Sequence, residues 1–265
     1  MNIVLLISVI TLALILNYVS TKKKLFLNFQ GDNHQKFTSS ESIPLIGGLI
    51  LILSSYYYLN LIIFSYVLFI FLLGFFSDIK KFNSPKLIFI VQTLIVCIVV
   101  YFSSITVTET KIIFLDQLLE YDIFKLLFSI FCILIVINGY NFIDGVNTLL
   151  IGYCLIISSS LYYLNLNDIE ISQIIDFYNF IPVLLALLIL NFFNKLYLGD
   201  GGAYFLGLLF ALCLINTYQI NNNISPYFIV CLLWYPAFEN LFSILRKITF
   251  SRSPLKPDIY HLHQI

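Results

Sequence analysis

Residues 138–147 read NGYNFIDGVN, a polar stretch set between two apolar runs. It holds three amides (Asn138, Asn141 and Asn147), one carboxylate (Asp144) and two glycines. Two more carboxylates occupy comparable places. Asp78 closes another apolar run, and Asp200 lies in the turn Leu198-Gly199-Asp200-Gly201-Gly202 ahead of a third. Carboxylates gathered at one place repel one another unless a cation holds them. Mg²⁺ takes oxygen ligands, usually one or two carboxylates completed by substrate phosphates. Glycines beside a carboxylate let the backbone come close to a ligand, and a helix start offers free N–H groups to an anion. Asp144-Gly145 and Asp200-Gly201 are both read as such helix starts. The residue types therefore suit a divalent cation, Mg²⁺ or alternatively Mn²⁺, bridging these carboxylates, Asp200 and Asp78 as its expected ligands with Asp144 beside them, to a phosphorylated substrate.

Basic and imidazole groups could complete such a site. Lys80 and Lys81 follow Asp78 closely and could neutralise a second phosphate, or simply anchor a cytoplasmic loop. The tail SRSPLKPDIYHLHQI adds Arg252, His261 and His263. The histidines could contact a diphosphate, serve in acid–base work, or be incidental, since Mg²⁺ does not favour imidazole.

These residues must be positioned by helices that cross a bilayer. The 265 residues are 60% hydrophobic and 11% charged, with a mean hydropathy of +0.96; a soluble domain carries about 25% charged residues. Zero formal net charge leaves no basic excess for a nucleic-acid partner. The five cysteines fall in apolar runs without CxxC spacing, so they read as small core residues and give no support to a zinc site. The first apolar run reads as a retained helix.

With about 20 apolar residues per crossing, the pattern predicts an all-α polytopic membrane protein with about nine spans. They fall near residues 2–20, 43–58, 61–76, 87–103, 126–139, 149–164, 180–193, 203–218 and 227–245, forming one domain over 1–265. Spans two and three are expected to form a tight hairpin. Placing the N-terminus outside and the C-terminus in the cytoplasm puts all but Lys111 and Lys125 of the fourteen basic residues inside. Glu109, Asp116, Glu120, Asp122, Asp168, Glu170 and Asp176 then lie outside as solvated charge. Asp78, Asp144 and Asp200 are delivered together to the cytoplasmic face, where the active site is expected.

Five stretches in order carry a family resemblance. They are IPLIGG at 43–48; GFFSDIKKFNSPK at 74–86, followed by Gln92; NGYNFIDGVN; NFFNKLYLGDGG at 191–202; and PDIYHLH at 257–263. The chain resembles the polyprenyl-phosphate N-acetylhexosamine-1-phosphate transferases, bacterial inner-membrane enzymes that start O-antigen, teichoic acid and peptidoglycan lipid intermediates. The resemblance implies transfer of a sugar 1-phosphate from a UDP-sugar to a polyisoprenyl phosphate such as undecaprenyl phosphate, with release of UMP. It implies Asp200 as the Mg²⁺ ligand, Asn191, Asp144 and Asn147 as nucleotide-site residues, and Tyr197 as the ring that stacks on uracil. Lys81 falls on the nucleotide side, and His261 and His263 match the family's histidine motif.

Asn138, Asn141 and Arg252 join the expected substrate contacts. Asp78, Asp144, Asp200, His261 and His263 form the expected catalytic set, and a homodimer is compatible with the reading. Three departures stand out: Ser77 replaces the first of two adjacent aspartates, Thr148 replaces a glycine, and the family continues past the histidine motif, so the domain is expected to lack its last helices.

Two other classes stay open. A transporter of lipid-linked solute should carry ionisable groups inside its spans, where only Glu239 is a carboxylate. An inactive paralogue acting as a scaffold is suggested by Ser77 and the early end.

Overall fold

Helix starts in this chain are written by short polar residues ahead of apolar runs. Asn2 accepts the Leu5 N–H to open α1 (Ile3–Lys23), and Asn60 accepts the Ile63 N–H to open α3 (Leu61–Asp78). Ser84, followed by Pro85, opens α4 (Pro85–Ser103), and Asp176 opens α8 (Phe177–Phe192). Each supplies the oxygen acceptor that the first free amides of a helix need. The remaining elements are α2 (Gly47–Ser54) with a 3₁₀ turn over Ser55–Tyr57, α5 (Ile113–Leu119), α6 (Asp122–Ile143), α7 (Leu149–Leu166), α9 (Gly199–Ile220) and α10 (Pro226–Thr249). The structure is a computed structural model, and it describes residues 2–27, 43–79, 84–221 and 223–249. Among these residues there are no strands, only isolated bridges at Leu27–Pro44 and Leu45–Tyr197.

Among the described residues, nine apolar helices coincide with the nine runs read from the sequence. Seven are long and apolar enough to cross a membrane: α1, α3, α4, α6, α7, α9 and α10. The other two, Gly47–Tyr57 and Phe177–Phe192, are shorter. Large apolar side chains stay exposed on the outer faces of the bundle, such as Ile15, Phe69, Ile98, Phe131 and Val230. That is the surface a hydrocarbon solvent favours.

The bundle is built around α9. Nearly every residue from Gly201 to Ile215 is buried, and α3, α6, α2 and α10 pack on it. The expected hairpin of the second and third spans is corrected here: α2 packs more on α9 than on α3, with Gly48 seated against the Gly202 backbone. The short α5 falls in the loop between α4 and α6, and its exposed Ile113 and Phe114 suit a membrane interface. All five cysteines are free thiols; Cys154 and Cys213 are buried as expected, whereas Cys231 is exposed on α10.

Helices α6 and α10 approach each other closely at Gly139. A Cβ built on Gly139 would lie 2.2 Å from the carbonyl oxygen of Pro236, a backbone atom that no rotamer change can move aside. Small residues serve this purpose between membrane helices. Gly139→Ala is therefore expected to destabilise the protein by about 3 kcal/mol, the upper end of overpacking costs. Thermal unfolding in detergent checks this, and an unchanged midpoint would show that α6 and α10 separate freely.

Candidate active site

Asp200 lies in the first turn of α9, and two neighbouring elements hold its carboxylate. The Ser77 hydroxyl, near the end of α3, donates to Asp200 Oδ2 at 2.9 Å, and Asn141 Nδ2, near the end of α6, donates to Oδ1 at 2.8 Å. Gly74 makes the α3 side of this contact possible, because a Cβ there would come within 2.6 Å of the Asp200 carbonyl group.

Asp78 serves the same helix start from α3. Leu198, the residue at the α9 N-cap, makes no side-chain capping bond. Instead the backbone N–H of Asp200 donates to Asp78 Oδ1 at 2.9 Å and that of Gly201 to Oδ2 at 3.1 Å. Asp78 thus caps α9 across 122 residues of sequence, satisfying two orphan amides and placing negative charge at the positive end of the dipole. Gly199 permits this with φ +77°; a Cβ there would come 2.7 Å from Asp78 Oδ2. The expectation that the α9 start offers free N–H groups to a phosphate is corrected for these two amides, which Asp78 already occupies.

Asp144 is also placed differently from its sequence reading. It is the C-cap of α6, and α7 begins only at Leu149, so Asp144 ends one helix and does not start the next. Burial first, and then the neighbouring carboxylates of Asp200 and Asp78, push the Asp144 carboxyl well above the usual carboxylate range. All three aspartates therefore share one end of the bundle closely enough to feel one another.

The other amides divide into two groups. Asn138, one turn before Asn141, points into the bundle and donates to Gln92 Oε1 on α4 at 3.1 Å and to the Leu134 carbonyl at 2.8 Å. Asn147 and Asn191 tie two loops together. Asn147 Nδ2 donates to Asn194 Oδ1 at 2.6 Å, and the Thr148 N–H donates to Asn191 Oδ1 at 2.6 Å. Asn191 Nδ2 donates in turn to the Leu196 carbonyl at 2.9 Å, so this buried amide is engaged at both ends. The brace holds Thr148 at φ +68° and Asn194 at φ +52°, a left-handed backbone that side chains normally avoid. Thr148, read in the sequence as standing in place of a glycine, thus takes a left-handed backbone.

Tyr197 is half-buried and fixed through its backbone. Its N–H donates to the Pro44 carbonyl and its carbonyl accepts from the Gly47 N–H, each at 2.9 Å. The IPLIGG stretch thus clamps the loop that leads into Asp200. Ser77 and Thr148, read in the sequence only as departures from the family pattern, and Asn194, which the sequence reading did not single out, are participants in the site. Lys81, Arg252, His261 and His263 lie outside the described residues.

Among the described residues no three acidic, histidine or cysteine side chains form a complete metal cage. The donor set that is present consists of aspartate oxygens, with amide and hydroxyl donors orienting those of Asp200 and the Asp200 and Asp78 carboxylates acting on Asp144. That incomplete, all-oxygen set fits Mg²⁺, which keeps positions for water and substrate phosphate, better than a metal held wholly by protein.

Comparison with known proteins gives one family. Residues 60–218 match glycosyl transferase family 4. The undecaprenyl-phosphate alpha-N-acetylglucosaminyl 1-phosphate transferase of Escherichia coli O157:H7 is 23% identical over 188 residues, covering 69% of this chain and 51% of that protein. A probable enzyme of similar name from Bacillus subtilis is 27% identical, covering 73% of this chain and 54% of its own. The decaprenyl-phosphate N-acetylglucosaminephosphotransferase of Mycolicibacterium smegmatis is 30% identical over 149 residues, covering 48% and 37%. The chain spans about half the length of the first two of these relatives.

Proposed function

This chain belongs to glycosyl transferase family 4, and from that premise we propose that it moves an N-acetylhexosamine 1-phosphate from a UDP-sugar to a polyisoprenyl phosphate, undecaprenyl phosphate in a bacterial inner membrane. UMP is released, and the product is the first lipid-linked intermediate of a cell-envelope polysaccharide. The observation that carries the reading is the seat of Asp200: a carboxylate oriented by Ser77 and Asn141 at the end of a bundle of apolar helices. There a lipid headgroup and a water-soluble nucleotide can meet. The names of the relatives point to the same class of reaction.

Such a reaction asks little covalent chemistry of the protein. An oxygen of the lipid phosphate bonds to the sugar-bearing phosphorus, the bond from that phosphorus to the bridging oxygen breaks, and UMP leaves with the electron pair. Rate enhancement comes from positioning and charge neutralisation. Asp200, with the Asp144 carboxyl near it, would hold Mg²⁺, which when bound withdraws charge from the diphosphate, while Asp78 keeps the helix start that carries Asp200 in place. Asn141 and Ser77 fix the direction of the Asp200 carboxylate. The Asn147–Asn194 and Asn191–Thr148 brace shapes the two loops that border the nucleotide side, and the Tyr197 ring offers a face for uracil. Lys81 and Arg252 are assigned to substrate contacts, and His261 and His263, which match the family's histidine motif, to the catalytic set.

The test is release of UMP by the purified chain from a panel of UDP-sugars, with and without undecaprenyl phosphate and Mg²⁺. UMP formed only when one donor, the lipid and the cation are all present is expected, and it identifies the sugar. Release of UDP in place of UMP would replace the proposal with simple glycosyl transfer.

A further inference from the structure

Away from Asp200, at the opposite end of the bundle, α6, α9 and α10 enclose an apolar groove of about 320 Å³. Along α10 its wall runs from Pro226 to Leu241, about 22 Å at 1.5 Å per residue. That is most of the ~30 Å thickness of a hydrocarbon core. That length is large for about 320 Å³ of space, so the groove suits a chain better than a ring. Exposed Phe131 on α6 and Val230 on α10 flank it, which places its open side on the lipid-facing surface.

Polar groups collect at one end only. Glu109, Thr110 and Tyr218 form the mouth, and the Tyr218 hydroxyl donates to Glu109 Oε2 at 3.4 Å. Asp116 stands beside them, accepting from the Thr110 N–H at 2.6 Å and its hydroxyl at 2.7 Å. Glu120 and Asp122 add to this face, against two lysines, Lys111 and Lys125, of which Lys125 is paired with Asp122 at 3.2 Å. The loop on the far side of α9's end contributes Asp168, Glu170 and Asp176 with no basic residue. A net negative mouth repels an anionic headgroup and attracts an amine. The isoprenoid acceptor would have to place its phosphate at the other end of the bundle, beside Asp200.

We propose that this groove is a binding site for one bilayer phospholipid with an ethanolamine-type headgroup, its amine against Glu109 and Tyr218 and one acyl chain along α10. The site rests on α6, α9 and α10 crossing a membrane and does not depend on the transferase reading.

The test is native mass spectrometry of the full chain released from nanodiscs that contain phosphatidylethanolamine and phosphatidylglycerol of matched chains in equal amounts. One retained phosphatidylethanolamine is expected, favoured about fivefold, the upper range for one exposed charge pair. Glu109→Gln is expected to remove the preference while a lipid is still retained. Ala237→Phe, which fills a partly exposed wall position of the groove, is expected to remove retention itself. Equal retention of both lipids, or a preference that survives Glu109→Gln, would overturn the headgroup assignment. Retention unaffected by Ala237→Phe, or displacement of the retained lipid by undecaprenyl phosphate, would overturn the site and give the groove to the acceptor tail.

Discussion

Asp200→Asn is expected to lower sugar-phosphate transfer at least ~100-fold, the loss seen when one electrostatic contributor to a transition state is removed, while the protein stays as stable or becomes more so. The change keeps the shape of the side chain. Its remaining oxygen can still accept from Ser77, and the Asn141 amide, by turning over, can accept from the new NH2 group, so the start of α9 keeps its packing. What leaves is one negative charge from a cluster in which Asp200 and Asp78 already disfavour ionisation of Asp144. Without a cation that charge is a source of repulsion, and removing it relieves the fold. With a cation it is an attraction that the amide cannot replace. Opposite signs for activity and stability are therefore expected, read by turnover and by thermal unfolding without Mg²⁺. Wild-type turnover in this variant would remove Asp200 from the mechanism.

Asp78→Ala is expected to show the reverse emphasis. Its two oxygens accept the N–H groups of Asp200 and Gly201, and no side chain at the α9 N-cap can take them over. Losing an N-cap costs about 1 kcal/mol, and each amide left buried without a partner costs about 1–3 kcal/mol. A loss of about 3 kcal/mol is expected, with activity falling because Asp200 moves with its helix. Asp78→Asn keeps one acceptor oxygen and should recover part of the stability. A variant Asp78→Ala that unfolds like the wild type yet lacks activity would show that Asp78 serves as a cation ligand and not as the cap of α9.

The helices were legible because apolar runs of crossing length are long and uniform, and their alternating direction was enough to send Asp78, Asp144 and Asp200 to one end. Partners across the bundle were not legible. Nothing local in Asp78 announces that its acceptors are used by amides 122 and 123 residues away. Ser77 reads in sequence as a missing carboxylate, whereas its hydroxyl orients Asp200. Asp144-Gly145 resembles a helix start, but α6 runs on to Ile143 and α7 waits until Leu149, because Thr148 and not Asp144 holds the turn. Asn191 looks like a ligand contact in a motif, and in the fold both ends of its amide brace loops. The GG of IPLIGG was the one available hint that α2 sits against α9, since paired glycines suit a backbone approach.

The central claim is that phosphate travels with the sugar onto a lipid phosphate. The most direct measurement uses UDP-sugar labelled in the sugar and, separately, in the sugar-bearing phosphorus, incubated with the purified chain, undecaprenyl phosphate and Mg²⁺. Both labels are predicted to enter one lipid product in equal amount, and neither when Mg²⁺ is withheld or when Asp200→Asn replaces the wild type. Sugar label in the lipid without the phosphorus label, or no lipid product from folded protein with any donor in the panel, would contradict the account.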